Sequence, residues 1–260
     1  MLRGRPLPGQ IPEAEVLMII DLEACAGCGA CEPYCPVGAI APGGEKTAKG
    51  RAKRDIDLEA CVECGTCLRI KVCPADAVKQ QTLTWPRSVR SAFSNPQTEH
   101  KSRDMGRGTE EMKTNEITHR FEAGEVGVAI ELGRPLVGAG FRDVERVTMA
   151  MARLGVAFEE RNPLTSLIED RATGAMRRDI LEEKVLSTIV EFKVKEERLP
   201  EVLSALRDVA PSLDTVFSLG LIHKLPSSGP DELPKQVRRL GFEVRPNGKV
   251  NLGLGRAILQ

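Results

Sequence analysis

No cysteine follows Cys73, the last of eight in a chain of 260 residues. Aromatic residues are scarce, at 3% of the chain, which argues against a surface that stacks nucleic-acid bases. Neither sign of charge is in excess, since 37 basic residues meet 37 acidic ones in a count that takes cysteine as neutral. No apolar run approaches the roughly 18 residues of a membrane span. The longest near the N-terminus, Val16–Ile20, is also shorter than the ~7–15-residue core of a signal peptide. Arg3 and Arg5 are separated by a glycine, so they do not form a twin-arginine signal. The expectation is a soluble cytoplasmic protein with no membrane span and no nucleic-acid partner. Its length suits one large domain or two small ones, with a substantial core.

What is present is concentrated early: Cys25, Cys28, Cys31, Cys35, Cys61, Cys64, Cys67 and Cys73. An even count in an exported domain suggests disulfides; without an export signal, metal or cluster binding is the better reading. The run Cys25-x2-Cys28-x2-Cys31-x3-Cys35-Pro36 matches the bacterial spacing for [4Fe–4S] clusters. A cubane cluster needs several converging thiolates, and three of these come from one short loop. Ala26, Gly27, Gly29 and Ala30 keep that loop small, so backbone N–H groups can approach the sulfides. Pro36 limits the direction of the chain as it leaves. Structural zinc is the rival, but it usually pairs two CxxC or CxxH units and does not string three cysteines at x2 intervals.

DLEAC from Asp21 returns as DLEAC from Asp57, and Cys35-Pro36-Val37-Gly38-Ala39-Ile40 parallels Cys73-Pro74-Ala75-Asp76-Ala77-Val78. Residues about 15–80 resemble the bacterial two-cluster ferredoxin family. In that family the fourth cysteine of each run ligates the other cluster. The resemblance implies that Cys25, Cys28, Cys31 and Cys73 hold cluster I, and that Cys61, Cys64, Cys67 and Cys35 hold cluster II. It therefore implies two [4Fe–4S] clusters in a duplicated fold. The halves differ: the second run reads Cys67-x5-Cys73, which leaves the path of Leu68–Val72 open. Four thiolates around an oxidised [4Fe–4S]2+ core leave about −2 per site, so the loaded chain would be acidic.

Between the halves, Gly43–Arg54 carries Lys46, Lys49, Arg51, Lys53 and Arg54 against Glu45. A charge run is usually a solvated face, and a solvated hairpin tip is the favoured reading. Docking of an acidic redox partner or an anionic ligand is the alternative.

The chain divides into a cluster domain at 1–80, a connector at 81–124 and an α+β domain at 125–260. Trp85-Pro86-Arg87 and Asn95-Pro96 punctuate the connector, with a short amphipathic helix over Arg87–Phe93. Within 102–121, Gly106-Arg107-Gly108-Thr109 beside Lys113 and Asn115 could cradle an anion. The segment has no P-loop, and an ordinary linker is the favoured reading.

From residue 125 the pattern turns regular. Val126, Val128, Ile130 and Leu132 alternate as in a half-buried strand. Val144, Val147, Met151 and Leu154 share one helical face that ends at Gly155, and Leu164–Asp170 reads as a second strand. A second round follows: a strand with Val190, Phe192 and Val194, a helix with Val202, Leu203, Leu206 and Val209, then a strand with Phe217, Leu219 and Leu221. This order predicts a βαββαβ, ferredoxin-like sandwich. A helix from Asp231 to Gly241 and a strand pair turning at Pro246-Asn247-Gly248 complete the expected fold.

Gly133–Phe141 joins a strand to a helix; the favoured reading is a tight turn, with anion binding the alternative. His223 reads as a strand-end histidine with a local partner. His100 and His119 have no motif around them. No third metal site and no nucleophile with its base can be identified by spacing, so no catalytic residue is assigned.

The expected function is an iron–sulfur protein passing single electrons through two clusters to or from a redox partner or larger oxidoreductase. A homodimer through the edge strands of the sandwich is the expected assembly. The rival readings are an electron-feeding subunit of a reductase and a ligand-responsive regulatory protein.

Overall fold

A computed structural model describes residues 15–98, 120, 122–134, 137–225 and 228–245. In the N-terminal half, β1 (Glu15–Ile20) pairs antiparallel with β4 (Val78–Leu83), and β2 (Ile40–Lys46) with β3 (Ala52–Ile56). Met18 and Ile20 face inward from β1 and meet Ala39, Ile40, Ile56, Ala77 and Val78 in one small core.

The repeat in sequence is a repeat in hydrogen bonding. Asp21 Oδ1 accepts the N–H groups of Glu23 and Ala24, and Asp57 Oδ1 those of Glu59 and Ala60. Each aspartate thereby closes the turn that launches its cysteine loop, a task suited to its short acceptor side chain. The halves also cross: Asp21 N–H donates to Ala77 O at 2.7 Å, and Asp57 N–H to Ala39 O at 2.8 Å. The two extra residues before Cys73 lie where a single 3-10 turn, Glu32–Tyr34, is replaced by the helical turn α1 (Thr66–Arg69). Lys71 then takes a left-handed conformation, φ 50°.

Of the segment expected as a connector, the described residues 81–98 include a helix packed into the protein. Helix α2 (Ser88–Ser94) has all seven residues buried, so the expected amphipathic helix has no face toward water. Val89, Ala92 and Phe93 belong to the core of the C-terminal half, and Phe93 meets the Phe141 ring edge-on, with centroids 6.1 Å apart. The helix looks polar in sequence, but Ser91, Ser94 and Arg90 bond to protein: Ser94 Oγ, for example, accepts the Leu186 N–H at 2.8 Å, while Ser88 Oγ is buried without a partner among the described residues. The 102–121 segment, including Gly106–Thr109, Lys113 and Asn115, lies outside the described residues except for Arg120. His100 and His119 also lie outside them.

The C-terminal half is built on β5 (Glu125–Leu132), β7 (Ala157–Phe158), β11 (Thr188–Lys195) and β12 (Phe217–His223), in the sheet order β12-β5-β11-β7. Every neighbouring pair is antiparallel. Helices α3 (Phe141–Ala152) and α4 (Leu199–Val209) contribute to the core next to this sheet. Val144, Val147 and Met151 of α3 are fully buried, as are Val202, Leu203 and Leu206 of α4. The helical periods read in the sequence therefore mark real faces, whereas the strand expected to be half-buried is buried on both sides, with Ala129 at 0% exposure between Val128 and Ile130.

The second strand is a correction. Pro163–Leu167 is a 3-10 turn, not a strand, because the Asn162 side chain accepts the Leu164 N–H and Pro163 sits at the start of the turn. Leu164 and Leu167 are buried at turn spacing, not strand spacing. Only β8 (Ile168–Asp170) is extended, and it pairs with β9 (Ala175–Met176) outside the main sheet. The second sheet position is taken by β7, immediately after Gly155 releases the helix at φ 64°.

Within Gly133–Phe141, β6 (Ala139–Gly140) pairs with β10 (Lys184–Val185). Gly133, at φ 81°, lies so close to Gly138 that a Cβ would come within 2.8 Å of its carbonyl carbon. The Phe141 N–H donates to Glu183 O at 3.0 Å, so the first turn of α3 is engaged by protein. His223 ends β12 with Nε2 3.3 Å from Asp231 Oδ2. Asp231 also accepts the Leu233 N–H at the head of α5 (Leu233–Arg239). The strand pair at Pro246–Gly248 lies outside the described residues.

Candidate metal centre

The eight cysteines line two hollows. One, of about 320 Å³ with its mouth included, is bordered by Cys25, Cys28, Cys31 and Cys73. The other, also about 320 Å³, is bordered by Cys35, Cys61, Cys64 and Cys67. The loops reach these positions through left-handed residues at matching places. Gly27 (φ 65°) corresponds to Glu63 (φ 53°), Gly29 (φ 73°) to Gly65 (φ 65°), and Gly38 (φ 66°) to Asp76 (φ 48°). Two of these glycines also admit close neighbours. A Cβ on Gly27 would sit 2.8 Å from Ala52 O, and one on Gly29 would sit 2.6 Å from the Arg54 guanidinium.

Backbone donors point at the sulfurs. The Ala39 N–H meets Cys35 Sγ at 3.1 Å and the Ala77 N–H meets Cys73 Sγ at 3.2 Å, the same bond in each half. The Arg54 N–H meets Cys25 Sγ at 3.4 Å. Such bonds stabilise negative charge on sulfur. Burial pushes the Cys61 and Cys67 thiols up to about 12. A metal would have to displace those protons.

The donor set suits a cluster better than a single ion. Among the described residues, no three His, Cys, Asp or Glu side chains gather closely enough to hold one metal ion. Four cysteines spread around each hollow leave room for a body of several atoms, which a cubane requires and a tetrahedral zinc does not.

The two hollows differ in their surroundings. Cys28 is exposed, whereas Cys61, Cys64 and Cys67 are buried. Three side chains that the sequence reading did not single out brace the loop of the second site. Glu63 is 2% exposed and accepts the Met18 N–H at 2.9 Å and Arg87 at 2.7 and 3.0 Å. Arg90, also 2% exposed, donates to the carbonyls of Leu58, Glu59 and Cys61 and pairs with Glu183. Arg69 of α1 reaches Cys64 O and, at 3.0 Å, Asn95 Oδ1. A signal for Glu63 did exist: it is the charged residue at the repeat position where the first loop has Gly27.

Residues 24–77 match the sequence model of the family described as the 4Fe-4S dicluster domain. The chain is 46% identical over 39 residues to Ferredoxin-1 of Caulobacter vibrioides, a stretch that covers 15% of this chain and 34% of that protein. The match thus spans about a third of the length of this curated relative. No solved structure matches the chain. Residues 24–77 are a ferredoxin-type dicluster domain, and its cofactors are two [4Fe–4S] clusters.

Proposed function

We propose that this chain is a one-electron carrier. Cys25, Cys28, Cys31 and Cys73 hold one cluster, and Cys61, Cys64, Cys67 and Cys35 hold the other. The supporting observation is the division of the eight cysteines between two hollows, each bordered by three cysteines of one run and the fourth of the other. A [4Fe–4S] cluster supplies a one-electron couple, and the protein supplies position and electrostatics. The amides of Ala39, Ala77 and Arg54 favour the more negative state by donating to sulfur. Arg90 of helix α2 holds the Cys61 carbonyl beside the second site.

The C-terminal half follows the element order of a βαββαβ sandwich, with β12-β5-β11-β7 as its sheet, and we read it as that fold. Its role would be to dock the chain on a larger oxidoreductase. In the described residues β12 has a strand partner on one side only, so a second copy of the chain could dock there.

Cys73→Ser and Cys35→Ser test the ligand sets. Under anaerobic reconstitution, Cys73→Ser should strip the EPR signal of the site whose other ligands begin at Cys25, leaving the Cys61 site loaded. Cys35→Ser should do the reverse. The opposite pattern would overturn the crossed assignment.

A further inference from the structure

The basic hairpin between the halves is built against the site that holds the exposed Cys28. Strand β3 packs so tightly on the first cysteine loop that Gly27 lies under Ala52 and Arg51: a Cβ there would be 2.8 Å from Ala52 O and 3.0 Å from Arg51 Cβ. Its five cations divide into two groups. Lys53 pairs with Glu45 at 3.2 Å, and Arg54 pairs with Glu32, so these two are committed within the protein. Lys46, Lys49 and Arg51 are exposed and have no ion-pair partner among the described residues.

The tip that carries them is closed by its own bonds. Thr47 N–H donates to Arg51 O at 2.9 Å, Gly50 N–H to Thr47 O at 2.8 Å, and Arg51 N–H to Thr47 Oγ1 at 3.1 Å. Cys28, the exposed cysteine, is the next residue after Gly27, whose Cβ position lies 3.0 Å from Arg51 Cβ. In the second site Cys61, Cys64 and Cys67 are all buried, and Arg90 holds the Cys61 carbonyl from the far side. A like-charged rim is what focuses an oppositely charged partner during encounter.

We propose that the face formed by Cys28, Arg51, Lys49 and Lys46 is the docking surface for an acidic one-electron redox protein. This rests on the two-cluster reading above. It reverses the favoured reading of the hairpin as an idle solvated tip.

The test uses the full, iron-loaded chain and two probes, acidic cytochrome b5 and basic cytochrome c. In each reaction one electron leaves the reduced chain and converts haem Fe(III) to Fe(II), followed by absorbance. The variant is Lys46→Gln/Lys49→Gln/Arg51→Gln, which leaves the paired Lys53 and Arg54 untouched. Steering by such a patch is worth about 10–10³-fold in on-rate, and the screening length falls from about 30 Å at 0.01 M salt to about 3 Å at 1 M.

With cytochrome b5 at low salt, the variant should therefore be about tenfold or more slower than the native chain, and the two should converge at high salt. With cytochrome c the variant should be no slower. As a second readout, oxidised cytochrome b5 should protect Lys46 and Lys49 from chemical acetylation, while Lys79 stays reactive. Equal rates for variant and native chain at low salt, with Lys46 and Lys49 unprotected, would overturn the proposal. A native chain that binds no iron would instead overturn the carrier reading on which it rests, so the two failures are distinguishable.

Discussion

Glu63 has a left-handed backbone, φ 53°, in a place where the first half of the domain uses a glycine. A side chain there is strained by about 1–3 kcal/mol, so its carboxylate must recover more than that. It does so by accepting the Met18 N–H and the fork of Arg87 with almost no solvent in contact. Removing one partner of a buried pair is worse than removing both, because the survivor keeps an uncompensated charge; the loss is about 3–5 kcal/mol. Arg87→Ala should therefore lower stability by about that amount, read from urea unfolding. Glu63→Gln/Arg87→Gln should lose clearly less. If the double variant is the weaker, the pair is not what holds this corner. The repeat made the cysteines legible residue by residue. Glu63 was overlooked because only its mismatch with Gly27 marked it, and its partner Arg87 lay in a stretch read as connector.

At the scale of elements, β5 and β11 are joined by charges at their ends as well as by their ladder. Glu125 lies opposite Lys195 in register and 3.0 Å from Lys193 Nζ. The Glu122 N–H, then Lys193, hold its carboxyl down from 4.5 to about 2. A depressed carboxylate contributes stability that is present above its unfolded value and is lost as pH falls through the folded one. The native chain should therefore lose stability relative to Glu125→Gln between about pH 4.5 and 2, read as the difference in urea midpoints. A constant difference across that window would remove Glu125 from the acid response. These strands were legible because alternation is a strong signal: Val126, Val128, Ile130 and Leu132 all lie at 0% exposure. Two elements were not legible, for different reasons. Leu164–Asp170 has a strand's composition, but the Asn162 cap and Pro163 turn its first half into a 3-10 turn, a local bond overriding propensity. Helix α2 has the serines and arginines of a surface segment, and only its tertiary partners reveal it as core.

For the whole molecule, α2 is where the two halves meet. Val89 and Phe93 pack into the C-terminal core, while Arg87 and Arg90 reach back to Glu63 and to the carbonyls around Cys61. Arg90 is closed from the far side by Glu183. The loop of the second cysteine site is therefore braced by Arg87, Arg90 and Glu183, which lie outside the matched span 24–77, whereas the first hollow is lined from β1, the basic hairpin and the start of β4. This asymmetry predicts the outcome of a cut. A fragment ending at Leu83 keeps all eight cysteines but loses Arg87 and Arg90, which leaves Glu63 without its cation and three carbonyls without their donor. Buried polar groups stranded in this way cost about 1–3 kcal/mol each, and the cost falls at one site only. After reconstitution and exposure to a chelator, the fragment should release iron from the Cys61 site well before the Cys25 site, with EPR on the Cys73→Ser and Cys35→Ser backgrounds separating the two. The full chain should release iron from both more slowly, and from the Cys61 site last. Equal release from both sites of the fragment would mean that the dicluster domain is self-sufficient and that the contacts of α2 serve only the C-terminal half. Selective loss would make the C-terminal half part of the housing of the second cluster, with Glu183, Arg90 and the Cys61 carbonyl as the connecting path.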